Sequence, residues 1–194
     1  PVRTGVSLGD TLAGLHAALG ALLALRHRDV RGGRGQVVDA AIHESVFNML
    51  ESLLPEYDAL GFVRQPAGAA LPGIVPSNTY ACSDARLIVI GGNSDAIYRR
   101  LMSAIGREDL AADPALQHNP GRVERAAEID AAIAAWTGER RFDDVFAALD
   151  AAEVPVGPIN DIADIARDPQ FAARGMFESF PLPDGRPLRI PKVV

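Results

Sequence analysis

The residues best placed to do chemistry in this sequence are Gly9-Asp10-Thr11, which open a long helical pattern. A carboxylate at a helix entrance meets free N–H groups and the positive end of the helix dipole, and both favour its ionised form. Turned back onto those N–H groups it is an N-cap, the plain reading of Gly-Asp-Thr before a helix. The chemistry such an ionised carboxylate could do instead is nucleophilic attack. No Ser/His/Asp or Cys/His arrangement competes with it. The four histidines form no close-spaced cluster with the one cysteine, so a metal site has no support. Gly91-Gly92-Asn93 joins a strand pattern to a helix, as a phosphate loop does, but no lysine follows and the spacing is wrong. A tight connection capped by Ser94 or Asp95 is the better reading there, and His43 reads as a surface or capping residue.

The elements that must position Asp10 come next. Leu12, Leu15, Leu19, Leu22 and Leu23 recur at helical spacing, while Ala13, Ala17, Gly20, Ala21 and Ala24 let another backbone come close. The helix is expected to run to about Arg26 or His27 and to end at the Arg31-Gly32-Gly33-Arg34-Gly35 turn. A strand at about 36–42 follows. A second helix is expected over about 42–60, with Val46, Met49, Leu50, Leu53 and Leu54 on its buried side and Pro55 kinking or ending it.

The order Gly9-Asp10, small-residue helix, Gly33-Arg34-Gly35-Gln36, apolar strand, helix resembles the class III CoA-transferase family. That family includes formyl-CoA:oxalate, carnitine and bile-acid CoA-transferases and the α-methylacyl-CoA racemases. Pro76-Ser77-Asn78-Thr79-Tyr80 and Val154-Pro155-Val156-Gly157-Pro158 fit the same family, so the resemblance extends over essentially the whole chain. It implies that Asp10 is catalytic and that Gly9 and Ile42 lie near coenzyme A. It implies an acyl-CoA:carboxylate CoA-transferase acting through an aspartyl mixed anhydride and an aspartyl-CoA thioester, with a small dicarboxylate such as succinate among the acids. It also implies an α/β fold: part of a Rossmann-like large domain plus a small α+β domain, within an interlaced, ring-like homodimer. Family members are about twice this length and begin with a nucleotide-binding part, so the chain reads as the middle of a longer protein. The alternative is a 2-methylacyl-CoA racemase or epimerase, but Ser94 stands where racemases carry a glutamate. A non-catalytic assembly relative is a further alternative, which the retained Gly9-Asp10 opposes.

Composition narrows the partners. A net charge of −6 without a basic cluster argues against nucleic acid. No uninterrupted run reaches the roughly 18 apolar residues of a membrane span. One cysteine, Cys82, excludes an internal disulfide framework and suits a reducing cytoplasm. The expected division is a large-domain portion over 1–61, a linker over 62–76, a small α+β domain over 77–158 and a returning segment over 159–194. Residues 68–73 read as plain linker, with an active-site lid as the alternative. Within the small domain the patterns predict a hairpin at Ser83-Asp84-Ala85-Arg86, helices over about 94–105 and 141–152, and another marked by Val123 to Trp136. An edge strand at 154–158, short helices capped at Asn160-Asp161 and Asp168, and a hairpin over 177–190 complete the chain.

Overall fold

The computed structural model describes residues 4–192, so the first three residues of the expected large-domain portion and the last two of the returning segment lie outside it. The chain divides into two compact units, Pro1–Pro66 and Ala67–Val194.

The first unit is built on α1, Leu8–Arg31, closed at its C-terminus by Gly32 in the left-handed conformation (φ 65°). It runs one turn further than expected because a glycine is the first residue that can adopt that conformation without strain. On a helix advancing 100° per residue, Gly9, Ala13, His16, Ala17, Gly20 and Ala24 share one face. These residues are half-buried, whereas Leu15, Leu19, Leu22 and Leu23 are exposed. The unit therefore covers the small-residue face and leaves the leucine face bare. The residues from 32 to 41 run back along it without forming a strand. A strand exists only with a ladder partner, and among the described residues none lies beside this one. Val38 instead packs on Gly20, its Cγ1 2.7 Å from where a side-chain Cβ would stand.

The expected 42–60 helix is two short ones, α2 (Ile42–Phe47) and α3 (Leu53–Leu60). Glu51 between them has φ 48°, outside helical space. Pro55 therefore falls in the first turn of α3, where its missing N–H is not needed. Val46, Met49, Leu50, Leu53 and Leu54 are exposed in this unit rather than buried. By length and composition α1 is apolar enough to cross a membrane, a test that the core helix of a globular fold also passes.

The second unit holds the core. β1 (Ser77–Ala81) pairs antiparallel with β2 (Leu87–Gly91), and β3 (Val156–Pro158) adds to the other side of β2. The expected hairpin and edge strand are thus present, with Pro158 on an edge as its missing donor requires. Ile88 and Ile90 point inward from β2 while Leu87 and Val89 point out, the alternation of a half-covered sheet. Against it pack α4 (Asp95–Ala104), α7 (Ala126–Gly138) and α8 (Phe142–Ala151), through Leu101, Met102, Ile129, Ile133, Val145 and Leu149. Each such side chain contributes about 1.5–3 kcal/mol when fully buried. Two further helices, α5 (Glu108–Ala111) and α6 (Asn119–Glu124), lie between α4 and α7, and a 3-10 turn over Pro114–Leu116 separates them. The helix expected across Val123 to Trp136 is broken at Arg125, which leaves helical space between α6 and α7 (φ −111°, ψ 27°).

Arg122, on α6, is fully buried, and it is what joins these pieces. Its Nε donates to the Val75 carbonyl (3.0 Å), one terminal nitrogen to Leu116 (3.2 Å) and Gln117 (3.1 Å), and the other to the Asn93 carbonyl and Asp95 Oδ1 (both 2.9 Å). The guanidinium also stands over the Tyr98 ring at 4.9 Å. His118 and Arg122 together hold the Asp95 carboxyl below its ordinary value. Nearby, the Tyr80 hydroxyl donates to Asp130 at 2.5 Å, and burial followed by that carboxylate pushes its ionisation up.

Beyond β3, α9 (Ile162–Arg167) opens on a capping box between Asp161 and Asp164, and α10 (Pro169–Ala173) on Asp168. β4 (Phe177–Pro181) and β5 (Pro187–Pro191) form the last hairpin, turning at Gly185 (φ 83°).

Candidate active site

Asp10 is the third residue of α1 and does not cap it. The N-cap position belongs to Ser7, whose side chain makes no cap bond. Thr11 instead secures the first turn, its N–H and its Oγ1 each donating to the Ser7 carbonyl at 3.0 Å. Among the described residues the N–H groups of Gly9 and Asp10 have no backbone acceptor. The N-cap expectation is therefore corrected. The Asp10 carboxylate is exposed and, among the described residues, takes part in no hydrogen bond or ion pair. A carboxylate so placed keeps both oxygens available to an incoming group.

Gly9 and Ile42 are brought together. A Cβ on Gly9 would stand 2.9 Å from Ile42 Cγ2 and 3.4 Å from Val46 Cγ2, so α2 approaches the start of α1 only because residue 9 has no side chain. Ile42 remains half-exposed and flanks the turn that carries Asp10. Further along the same face is a groove of about 280 Å³, lined by His16, Asp39, Ala41, Glu44, Ser45 and Asn48 among others. Asp10 is not on its wall. His16 Nε2 is 3.4 Å from Asn48 Nδ2, while its Nδ1 is buried without a partner among the described residues.

Ser94 is the N-cap of α4, its Oγ accepting from the Ile97 N–H at 3.3 Å, so that hydroxyl is already engaged. Among the described residues no group of three or more His, Cys, Asp and Glu side chains is placed to hold a metal ion. Sequence reasoning missed Arg122 and the Arg64–Glu56 pair. Arg64 Nε donates to Glu56 Oε2 at 2.7 Å, and this contact with the Ser52 hydroxyl lowers the Glu56 carboxyl to about 2.

Residues 1–194 match the family model described as CoA-transferase family III. The succinyl-CoA–D-citramalate CoA-transferase of Chloroflexus aurantiacus is 42% identical over 194 residues, which are 100% of this chain and 48% of that protein. The succinate–glutarate CoA-transferase of Agrobacterium fabrum is 31% identical over 185 residues, 95% of this chain and 46% of that one. A crystal structure of a CAIB/BAIF family protein from Brucella suis superposes with a TM-score of 0.78 at 34% identity, over 100% of this chain and 50% of the other. The chain spans about half the length of the curated relatives it matches.

Proposed function

Because this chain belongs to CoA-transferase family III, we propose that the full-length protein moves coenzyme A between small dicarboxylic acids, with Asp10 carrying first the acyl group and then CoA. The observation that carries this is the state of Asp10: an exposed carboxylate without a partner among the described residues, in the first turn of a helix beside two free backbone N–H groups. The choice of acid is supported by relatives whose names specify citramalate and glutarate.

An Asp10 oxygen attacks the carbonyl of the donor thioester, the C–S bond breaks, and CoA leaves as its thiolate, giving a mixed anhydride. The thiolate attacks the Asp10 side-chain carbonyl and breaks the anhydride C–O bond. The donor acid leaves and an aspartyl-CoA thioester remains. An acceptor carboxylate attacks that thioester, releasing the thiolate and forming a second anhydride. The thiolate then takes the acceptor's acyl group and restores the Asp10 carboxylate. No proton is consumed, and the attacking form of Asp10 in each cycle is the carboxylate. In this reading Gly9 leaves the approach to Asp10 open and Ile42 lies beside the CoA chain. The full-length protein is an interlaced cytoplasmic homodimer.

The test is full-length enzyme with succinyl-CoA and a panel of small mono- and dicarboxylic acids, followed by mass spectrometry of the acyl-CoA products. CoA should appear on one or more dicarboxylic acids. No transfer to any acid, together with solvent deuterium entering the α-carbon of a 2-methylacyl-CoA, would replace this reading with racemisation.

A further inference from the structure

The chain between the two units carries a side-chain clamp at each end. On the first unit, Arg64 reaches back to α3: its Nε holds Glu56 Oε2 at 2.7 Å and its terminal nitrogen holds Ser52 Oγ at 2.7 Å and Glu56 Oε1. Ser52 Oγ in turn donates to Glu56 Oε1 at 2.8 Å, so three side chains close one half-buried network. On the second unit, Asn119 and Arg122 read three backbone groups in succession. Asn119 Nδ2 donates to the Gly73 carbonyl (2.8 Å), Asn119 Oδ1 accepts from the Val75 N–H (3.1 Å), and Arg122 Nε donates to the Val75 carbonyl (3.0 Å). The Leu71 N–H donates to the Ser77 carbonyl at 3.0 Å and the Gly92 N–H to the Pro76 carbonyl at 2.9 Å, and Val75 is buried.

Residues 65–69 between these clamps are all exposed. Among the described residues their hydrogen bonds are local: the Gln65 amide donates to the Val63 carbonyl (3.2 Å) and the Ala70 N–H to the Ala67 carbonyl (3.2 Å). Opening a segment costs little where it has neither buried contacts nor long-range hydrogen bonds. We infer that the conformational freedom of the connection is confined to residues 65–69, a hinge bounded by the Arg64–Glu56 clamp on one side and the Asn119–Arg122 clamp on the other. Gly68 (φ 65°) belongs to the hinge, whereas Gly73 (φ 79°) is fixed in the second unit, so residues 68–73 do not move as one flap. Asn119 is a positioning residue for the chain that enters β1.

Hydrogen exchange on the full-length protein tests this. The amides of Ala67, Gly68 and Ala69 should exchange at the shortest labelling time, and those of Leu71 and Val75 at least a hundredfold more slowly. Asn119→Ala should raise exchange at Val75 tenfold or more without altering residues 65–69. Arg64→Ala, which leaves the second unit untouched, should extend fast exchange back over 62–64. Slow exchange across 65–69, or unchanged protection at Val75 in a folded Asn119→Ala protein, would overturn the hinge. Should Asn119→Ala fail to fold, the Arg64→Ala result and native-state cleavage by a broad-specificity protease decide: cleavage confined to 65–69 supports it and cleavage within 71–76 overturns it.

Discussion

Ile42 Cγ2 fills the place that a side chain on Gly9 would need, 2.9 Å from the position of its Cβ. This contact fixes how closely α2 approaches the turn carrying Asp10, and it gives a sign-reversing test. Gly9→Ala gains about 0.5–1 kcal/mol of helix propensity, but the new methyl meets a branched methyl with little freedom to move. Such overpacking typically costs about 1–3 kcal/mol. We therefore expect Gly9→Ala to lower the stability of the full-length protein, read from denaturant unfolding. In an Ile42→Ala background the same change should stabilise. A Gly9→Ala effect of the same sign and size in both backgrounds would mean that Ile42 does not set the spacing.

Arg122 should be intolerant of lysine. Lysine keeps the charge but offers donors from a single point, and cannot reach the carbonyls of Val75, Leu116, Gln117 and Asn93 together with Asp95. Buried groups left unpaired cost about 1–3 kcal/mol each. Arg122→Lys should therefore lower stability by roughly 3 kcal/mol or more. A change under about 1 kcal/mol in chemical denaturation would contradict the role given to it.

Acid should weaken both units. The Glu56 carboxyl is lowered to about 2 by Arg64 and Ser52, Asp109 to about 2 by Arg107, and Asp95 is lowered by His118 and Arg122. A carboxyl whose folded value lies below its unfolded one stabilises above the unfolded value, and loses that contribution as pH falls through the folded one. With unfolded values of about 4, stability should hold from neutrality to about pH 5 and fall between about 4.5 and 2. Glu56→Gln should flatten this acid limb, measured as denaturant midpoint against pH. An unchanged limb would show that Glu56 is not lowered.

The leucine face of α1, with Leu15, Leu19, Leu22 and Leu23 exposed in its own unit, supports the assembled state proposed for the full-length protein. Light scattering should give a stable dimer whose interface buries far more than the roughly 1,600 Å² of a standard one. A stable full-length monomer would remove the interlaced homodimer from the account.

Much of the second unit is legible in the sequence because its signals are local. Ser94, Asp161 and Asp168 each announce a helix that their side chains go on to cap, and Ile88 and Ile90 alternate as a half-buried strand should. The first unit is less legible because its features depend on partners. Gln36 and Val37 have the composition of a strand but no ladder to join among the described residues, and the leucines of α1 mark a buried stripe that their own unit does not bury. Arg122 gave no signal at all. Its burial depends on carbonyls from separated stretches of chain, 47 residues away at Val75 and 29 at Asn93, which only the folded unit assembles. The position of Asp10 on its helix was not legible: the helix starts at Leu8, which takes the aspartate off the cap and leaves its carboxylate without a partner among the described residues.

The central claim is that Asp10 is the covalent carrier, and trapping tests it most directly. Full-length enzyme given succinyl-CoA without an acceptor should accumulate an acylated or CoA-bearing Asp10. Hydroxylamine should convert this to an aspartyl hydroxamate that peptide mass spectrometry locates at position 10. Asp10→Asn keeps the size of the side chain, removes its charge, and disturbs no hydrogen bond found among the described residues. It should fold normally, form no adduct, and lose several powers of ten in turnover. A hydroxamate on another residue, or near-native transfer by Asp10→Asn, would contradict the account.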